Sequence, residues 1–226
     1  MAIFTMSTFQ GNHLTQLVDT YVLYTLSLKK NENRHARSKS EVAQVRAEIR
    51  GHQAPITNIQ YNPIFGNPLR KRNKEHSKMT SIETGDVFLT SSYDWSLKLW
   101  HAKYNEPLAV FRKHDDYIYD CQWSTRHPCV FACVDGTGQL SIYHLVTNFE
   151  DPMLTLKSFP NRSEKAGPLT RLKWSNDGQQ LLVGDNFGQF WMFQCHQSLY
   201  QCEDEDFDVF EWIIQKRIKF QTQRAT

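Results

Sequence analysis

FLTSSYDWSLKLW, residues 88–100, is the stretch from which the rest of the chain is read. It predicts a tight β-hairpin. Residues 88–92 are rich in apolar and β-branched side chains and form the first strand. Tyr93, Asp94 and Trp95 make the turn. In the second strand, residues 96–100, Leu97 and Leu99 alternate with Ser96 and Lys98, the period-2 pattern of a sheet with two distinct faces. Asp94 lies two residues after Ser92 and six before Trp100, and a Gly51-His52 pair stands upstream.

Working outward, a repeat becomes countable. An apolar residue is followed by another three positions later and an aromatic two after that. The pattern occurs as Ile56, Ile59, Tyr61, as Ile118, Cys121, Trp123, and as Leu169, Leu172, Trp174. A histidine precedes the aromatic by nine residues in the first two copies, His52 and His114, and Lys165 takes that place in the third. Two further strands follow each copy: residues 87–92 and 96–100, then 130–134 and 139–144 joined by DGTG, then 181–184 and 189–193 joined by DNFG. A fourth strand fits at residues 107–111 and 153–158. A Gly-His start and a strand closing in Trp are the signature of a WD-repeat propeller blade. The expected fold is therefore all-β, a partial WD-repeat β-propeller of about three blades plus a partial one, with a C-terminal helix.

The expected organisation places blades at residues 51–111, 112–158 and 165–200. Residues 1–50 hold a possible partial blade and linker. Within them, residues 21–28 (YVLYTLSL) read as a strand, and residues 38–50 read either as a short helix or as a strand. The first copy carries an insertion containing LRKRNKEHSK, residues 69–78, best read as a solvated loop on a blade rim. Residues 201–226 form an acidic linker and then an amphipathic helix. Phe207, Phe210, Ile214 and Ile218 share helical spacing, acids lead and Lys216, Arg217 and Lys219 close it. Its position in sequence suggests that it covers part of the last blade.

The 226 residues suffice for one sizeable domain or two small ones, and a net charge of +2 argues neither for nor against nucleic acid. The five cysteines have no zinc-type spacing and read as reduced thiols. Residues 14–28 are too short and polar for a bilayer span, so no membrane contact is expected. No phosphate loop, dinucleotide fingerprint, metalloprotease motif or nucleophile elbow occurs. His114-Asp115-Asp116 resembles an acid/base group, but His114 holds the same repeat position as His52. The expectation is a protein that is not an enzyme, with no cofactor and no metal.

Two sets of residues stand out. His52, Ser92, Asp94 and Trp100 form an expected structural tetrad, a buried chain running His to Asp, His to Ser, and Ser to the indole N–H. Copies two and three are expected to lack it, since Thr137 and Phe187 fill the Asp position and Tyr143 and Phe193 the Trp position. Trp95, at a hairpin tip where a small residue is normal, and Tyr117 and Tyr119, at the start of a strand on a rim, are the candidates for partner binding.

SSYDWSLKLW, residues 116–145 (DYIYDCQWSTRHPCVFACVDGTGQLSIYHL) and residues 171–193 (RLKWSNDGQQLLVGDNFGQFWMF) together resemble the last blades of the cytoplasmic dynein intermediate chain. GHQAPIT fits that family's blade start, and the acidic-then-helical tail with Glu211-Trp212 resembles its C-terminal end. The resemblance covers roughly residues 34–220. It implies a non-catalytic motor subunit of the cytoplasm and the microtubule cytoskeleton, whose blades bind the dynein heavy chain and which meets dynein light chains only through other subunits. It implies no nucleic acid or membrane partner. The family's long N-terminal region and earlier blades have no counterpart here, and the basic run at 69–78 departs from the pattern. The chain thus reads as a truncated product or a divergent short paralogue. The alternative is a generic WD-repeat adaptor scaffolding another complex.

Overall fold

The structure, a computed structural model, describes residues 20–25, 44–64, 86–157 and 167–224. The basic run at 69–78 and Lys165 lie outside the described residues. The chain divides into two compact units, residues 1–53 and 54–226. In the first, β1 (Thr20–Thr25) pairs antiparallel with β2 (Gln44–Arg50), Thr20 opposite Arg50. Of the two readings of residues 38–50, the strand holds over its described part. Val45, Ala47 and Ile49 alternate with Gln44, Arg46, Glu48 and Arg50, and this period of two overrides the looser helical spacing.

The second unit holds three antiparallel sheets built on one register. The first blade runs β3 (Ile56–Tyr61), β4 (Val87–Ser92), β5 (Leu97–His101) and β6 (Ala109–Phe111). The second runs β7 (Ile118–Trp123), β8 (Val130–Asp135), β9 (Leu140–His144) and β10 (Leu154–Leu156). The third has three strands, β11 (Leu169–Trp174), β12 (Gln180–Asp185) and β13 (Phe190–Gln194). Phe88 pairs with Trp100, Phe131 with Tyr143 and Leu181 with Phe193. Each inner strand carries a register shift just after its first residue, at Ile56, Ile118 and Leu169. This is a partial WD-repeat propeller.

Blade faces bury against one another. Leu89, Leu97 and Leu99 of the first blade pack with Ile118, Cys121 and Trp123 of the second. The second blade's opposite face, Ala132, Leu140 and Ile142, packs with Leu169, Leu172, Leu181 and Val183 of the third. Polar side chains tie the inner strands across both seams. The Asn58 amide donates to Cys121 O at 2.8 Å and to Asp120 Oδ1, and Gln60 Oε1 accepts from Trp123 N. Asp120 Oδ2 accepts from Leu172 N at 3.1 Å, and Trp174 Nε1 donates to Gln122 O at 3.2 Å.

Helix α1 (Asp204–Arg224) opens on Asp204, Glu205 and Asp206, which suits the positive end of its dipole. It does not lie on the last blade as its place in the sequence suggests. Phe210, Ile213, Ile214 and Ile218 join the core shared by the first two blades. There Phe131 and Tyr143 stack at 4.8 Å, Trp123 meets Phe131 edge-on, and Phe210 meets Trp123 edge-on at 6.0 Å. That aromatic group offers large apolar area for the helix stripe to cover. Further along, Gln221 Nε2 donates to Glu106 O at 3.2 Å and to Pro107 O, and the Arg217 guanidinium sits 4.0 Å above the Phe149 ring.

The start of the helix meets a buried imidazole pair. The His127 and His144 rings lie 4.8 Å apart, and His127 Nε2 is 3.5 Å from Asp206 Oδ2. His127 Nδ1 accepts from Cys129 N, and the Cys129 thiol donates to Asp206 O. Burial, helped by His144, pushes His127 down to about 4 against the pull of Asp206, and burial pushes His144 down as well. The folded state therefore binds fewer protons here than the unfolded chain. The resulting stability is fully present above the ordinary histidine range, is lost as pH falls through about 6.5 toward about 4, and amounts to at most about 3 kcal/mol for His127. Urea midpoints measured from pH 7.5 to 4.5 should fall, and His127→Asn should flatten that fall.

Candidate functional site

In the first blade, the Trp100 indole N–H donates to Thr90 Oγ1 at 2.8 Å, not to Ser92. Thr90 and Ser92 lie on the same strand face, but the pairing of Phe88 with Trp100 and Thr90 with Lys98 sets Thr90 one diagonal step from the indole and Ser92 two. The Ser92 hydroxyl instead donates to Ala54 O at 2.9 Å and accepts from Asp94 N at 3.1 Å. Asp94 closes the hairpin, its Oδ1 accepting from Ser96 N at 3.0 Å and Ser96 Oγ at 2.5 Å, with Lys98 Nζ at 3.7 Å from Oδ2. His52 is buried.

The second blade, expected to lack such a chain, has one. His114 Nδ1 meets Asp135 Oδ2 at 2.8 Å, and its Nε2 lies 3.3 Å from both Cys133 Sγ and Tyr143 OH. Aligning β4 with β8 explains the set. Cys133 stands where Thr90 stands, Tyr143 where Trp100 stands, and Asp135 where Ser92 stands, two residues earlier than Asp94. Thr137 does not replace the carboxylate; its N–H and hydroxyl donate to Asp135 Oδ1, as does Gln139 N. Burial raises the Asp135 carboxyl, but the bonds from His114, Thr137 and Gln139 outweigh it and hold it below the usual range. In the third blade Asp185 holds the same register, accepting from Phe187 N at 2.8 Å and Gln189 N at 2.9 Å.

These groups are sealed. Burial pushes the Cys121 thiol up to about 12 and Cys133 well above the ordinary thiol range, so neither forms thiolate near neutrality. Among the described residues no group of three or more His, Cys, Asp or Glu side chains is placed to hold a metal ion.

The accessible chemistry is on the rim that carries the hairpin tips. Trp95 has φ 64° and sits at the turn position where the other two blades have Gly138 at φ 82° and Gly188 at φ 81°. A non-glycine there costs roughly 1–2 kcal/mol, yet the ring stays 49% exposed. Tyr117 is 45% exposed and Tyr119 half-buried. Tyr93, a residue the sequence did not single out, joins the two, 4.8 Å from Tyr117 and 5.6 Å from Tyr119 between ring centroids. Trp95 belongs to the same turn as Tyr93 but makes no ring contact with this group among the described residues. Beneath the tyrosines a cavity of about 470 Å³ is lined by Ile56, Thr57, Tyr93, Tyr119, Thr170 and Arg171.

The polar chain of the second blade generates a prediction. Asp135→Ala leaves the buried His114 Nδ1 and the turn donors unpaired and should cost about 2–4 kcal/mol. Thr137→Ala removes only one hydroxyl of the turn and should cost under about 1 kcal/mol. Urea midpoints of the two variants measure the difference.

Residues 105–140 match the model of the WD domain, G-beta repeat. The match spans β6 of the first blade and β7 and β8 of the second, ending at the first residue of β9. The chain is 33% identical over 159 residues to "Cytoplasmic dynein 1 intermediate chain" of Drosophila melanogaster, covering 70% of this chain and 21% of that protein. It is 25% identical over 180 residues to "Dynein axonemal intermediate chain 4" of Rattus norvegicus, covering 80% and 19%. The crystal structure of the C-terminal WD40 domain of Sif2 aligns at a TM-score of 0.48 and 16% identity, over 69% of this chain and 35% of that one. The chain spans about a fifth of the length of the curated relatives it matches. With three WD-type blades on one register and this similarity, the chain is a dynein intermediate chain-like WD-repeat protein.

Proposed function

We propose that the chain serves as a non-catalytic subunit of a cytoplasmic, microtubule-associated dynein complex, its blades binding the dynein heavy chain. The observation that carries this reading is the 33% identity over 159 residues to a cytoplasmic dynein intermediate chain. The geometry is compatible with it: many inner polar groups hold blades together, and Trp95 and Tyr117 stand exposed on one rim, while Trp212 and Phe220 are exposed on α1. Trp95, Tyr117 and Tyr119 are the proposed contact residues, with Tyr93 supporting the tyrosines. The strain accepted at Trp95 supports a contact role, because glycine fits that turn in both other blades. Light chains join such an assembly through other subunits.

The test is purification of the tagged full chain from cells, with heavy chain quantified against it. Heavy chain should be recovered in near-equal amount. Trp95→Gly should leave the melting temperature unchanged or slightly raised while lowering heavy-chain recovery at least about fivefold. Absence of heavy chain beside an abundant unrelated complex would favour the generic adaptor.

A further inference from the structure

We infer that the cavity beneath the rim tyrosines binds an anionic side chain, carboxylate or phosphoryl, carried on an extended segment of a partner protein. The inference rests on the rim being the contact surface and names the chemistry it recognises. Three inner strands meet there at one register: Thr57, Tyr119 and Thr170 are each the second residue of β3, β7 and β11. The Thr57 hydroxyl is committed to Ile118 O and Ser91 Oγ, and Thr170 Oγ1 lies 3.4 Å from Gly184 O. The Tyr93 and Tyr119 phenols and the exposed Arg171 guanidinium form no hydrogen bond or ion pair among the described residues.

Register explains why a cation stands there. Arg171 occupies the position of Asn58 and Asp120, whose side chains reach across a seam to the next blade. In the third blade this position lines the cavity. Of the carboxylates nearby, Asp120 accepts from Leu172 N and Asn58 and also feels the Arg171 charge, and Asp116 accepts from Tyr117 N while its charge reaches Tyr119, so an anion must bind against these two. Two phenols and a guanidinium all donate, and charge-assisted donation to an anionic oxygen is the strong form of such contacts. A volume of about 470 Å³ suits one side chain with its flanking backbone. Trp95 and Tyr117 stand exposed on the same rim to pack against that segment.

The experiment uses the full chain and three short fluorescein-labelled peptides of one extended, apolar-flanked sequence, with Glu, phosphoserine or Gln at the centre. Fluorescence anisotropy should show the Glu or phosphoserine peptide binding at least about tenfold tighter than the Gln peptide. Which of the two binds better identifies the anion. Arg171→Glu should erase the preference and Tyr119→Phe should reduce it, with melting temperatures unchanged. The inference is overturned if the Gln peptide binds equally well, if no peptide binds below millimolar concentration, or if the preference survives Arg171→Glu. Heavy-chain recovery is scored separately: absence of a charge preference in the unsubstituted chain, with heavy chain still recovered, overturns this inference alone.

Discussion

Asp120 is the point on which the three blades depend. It lies on the inner strand of the middle blade, buried, with one oxygen turned to Asn58 of the first blade and the other to the backbone of Leu172 in the third. Apolar burial between blade faces supplies most of the driving force, but it is non-directional and tolerates sliding. Hydrogen bonds from a single carboxylate to both neighbours do not. Burial raises the Asp120 carboxyl, and the donors from Leu172 and Asn58 oppose that rise. Gln60 and Gln122 add one tie to each seam. Helix α1 then covers the aromatic core of the first two blades, so the middle blade is held on both faces and at one end.

Much of this was legible in the residues, and the failures have physical causes. The counted repeat and the apolar, β-branched runs beside it located the blade strands, with period-2 alternation marking residues 96–100; β4, β5, β8 and β9 are buried along their whole length, so alternation alone does not reveal them. The polar chains were harder to read. Ser92 and Thr90 share a face, and only cross-strand register selects Thr90. In the second blade a carboxylate moved two residues along the turn, and a Cys and a Tyr replaced Thr and Trp. A fixed-offset template hides that substitution, although aligning the two hairpins residue by residue exposes it. Helix α1 packs away from the last blade, because its neighbour in sequence is not the largest apolar surface near it. Aromatic stacking around Phe131 decides that, and stacking is a property of packing.

The division of labour follows from these constraints. Side chains on the inner strands and in the blade interiors are consumed by the fold, which leaves turns and strand starts to carry recognition. The rim carries a tryptophan in a backbone conformation suited to glycine, a cluster of tyrosines, and an arginine lining the cavity beside Tyr93 and Tyr119, the features on which the proposed contact surface rests. Trp95 and Tyr93 lie in a hairpin turn, and Tyr117 and Tyr119 at the entry to a strand, where sequence change alters a surface without disturbing the ladder behind it.

Polar ties across the seams make the three blades one cooperative unit. Native-state hydrogen exchange at the amides of Leu172 and Trp123, which donate to side chains of the neighbouring blade, tests it most directly. Both should exchange with the same opening free energy as amides inside the ladders of β8 and β12. Fast, independent exchange at Leu172 and Trp123 beside protected ladder amides would show that the blades open separately, and would contradict it.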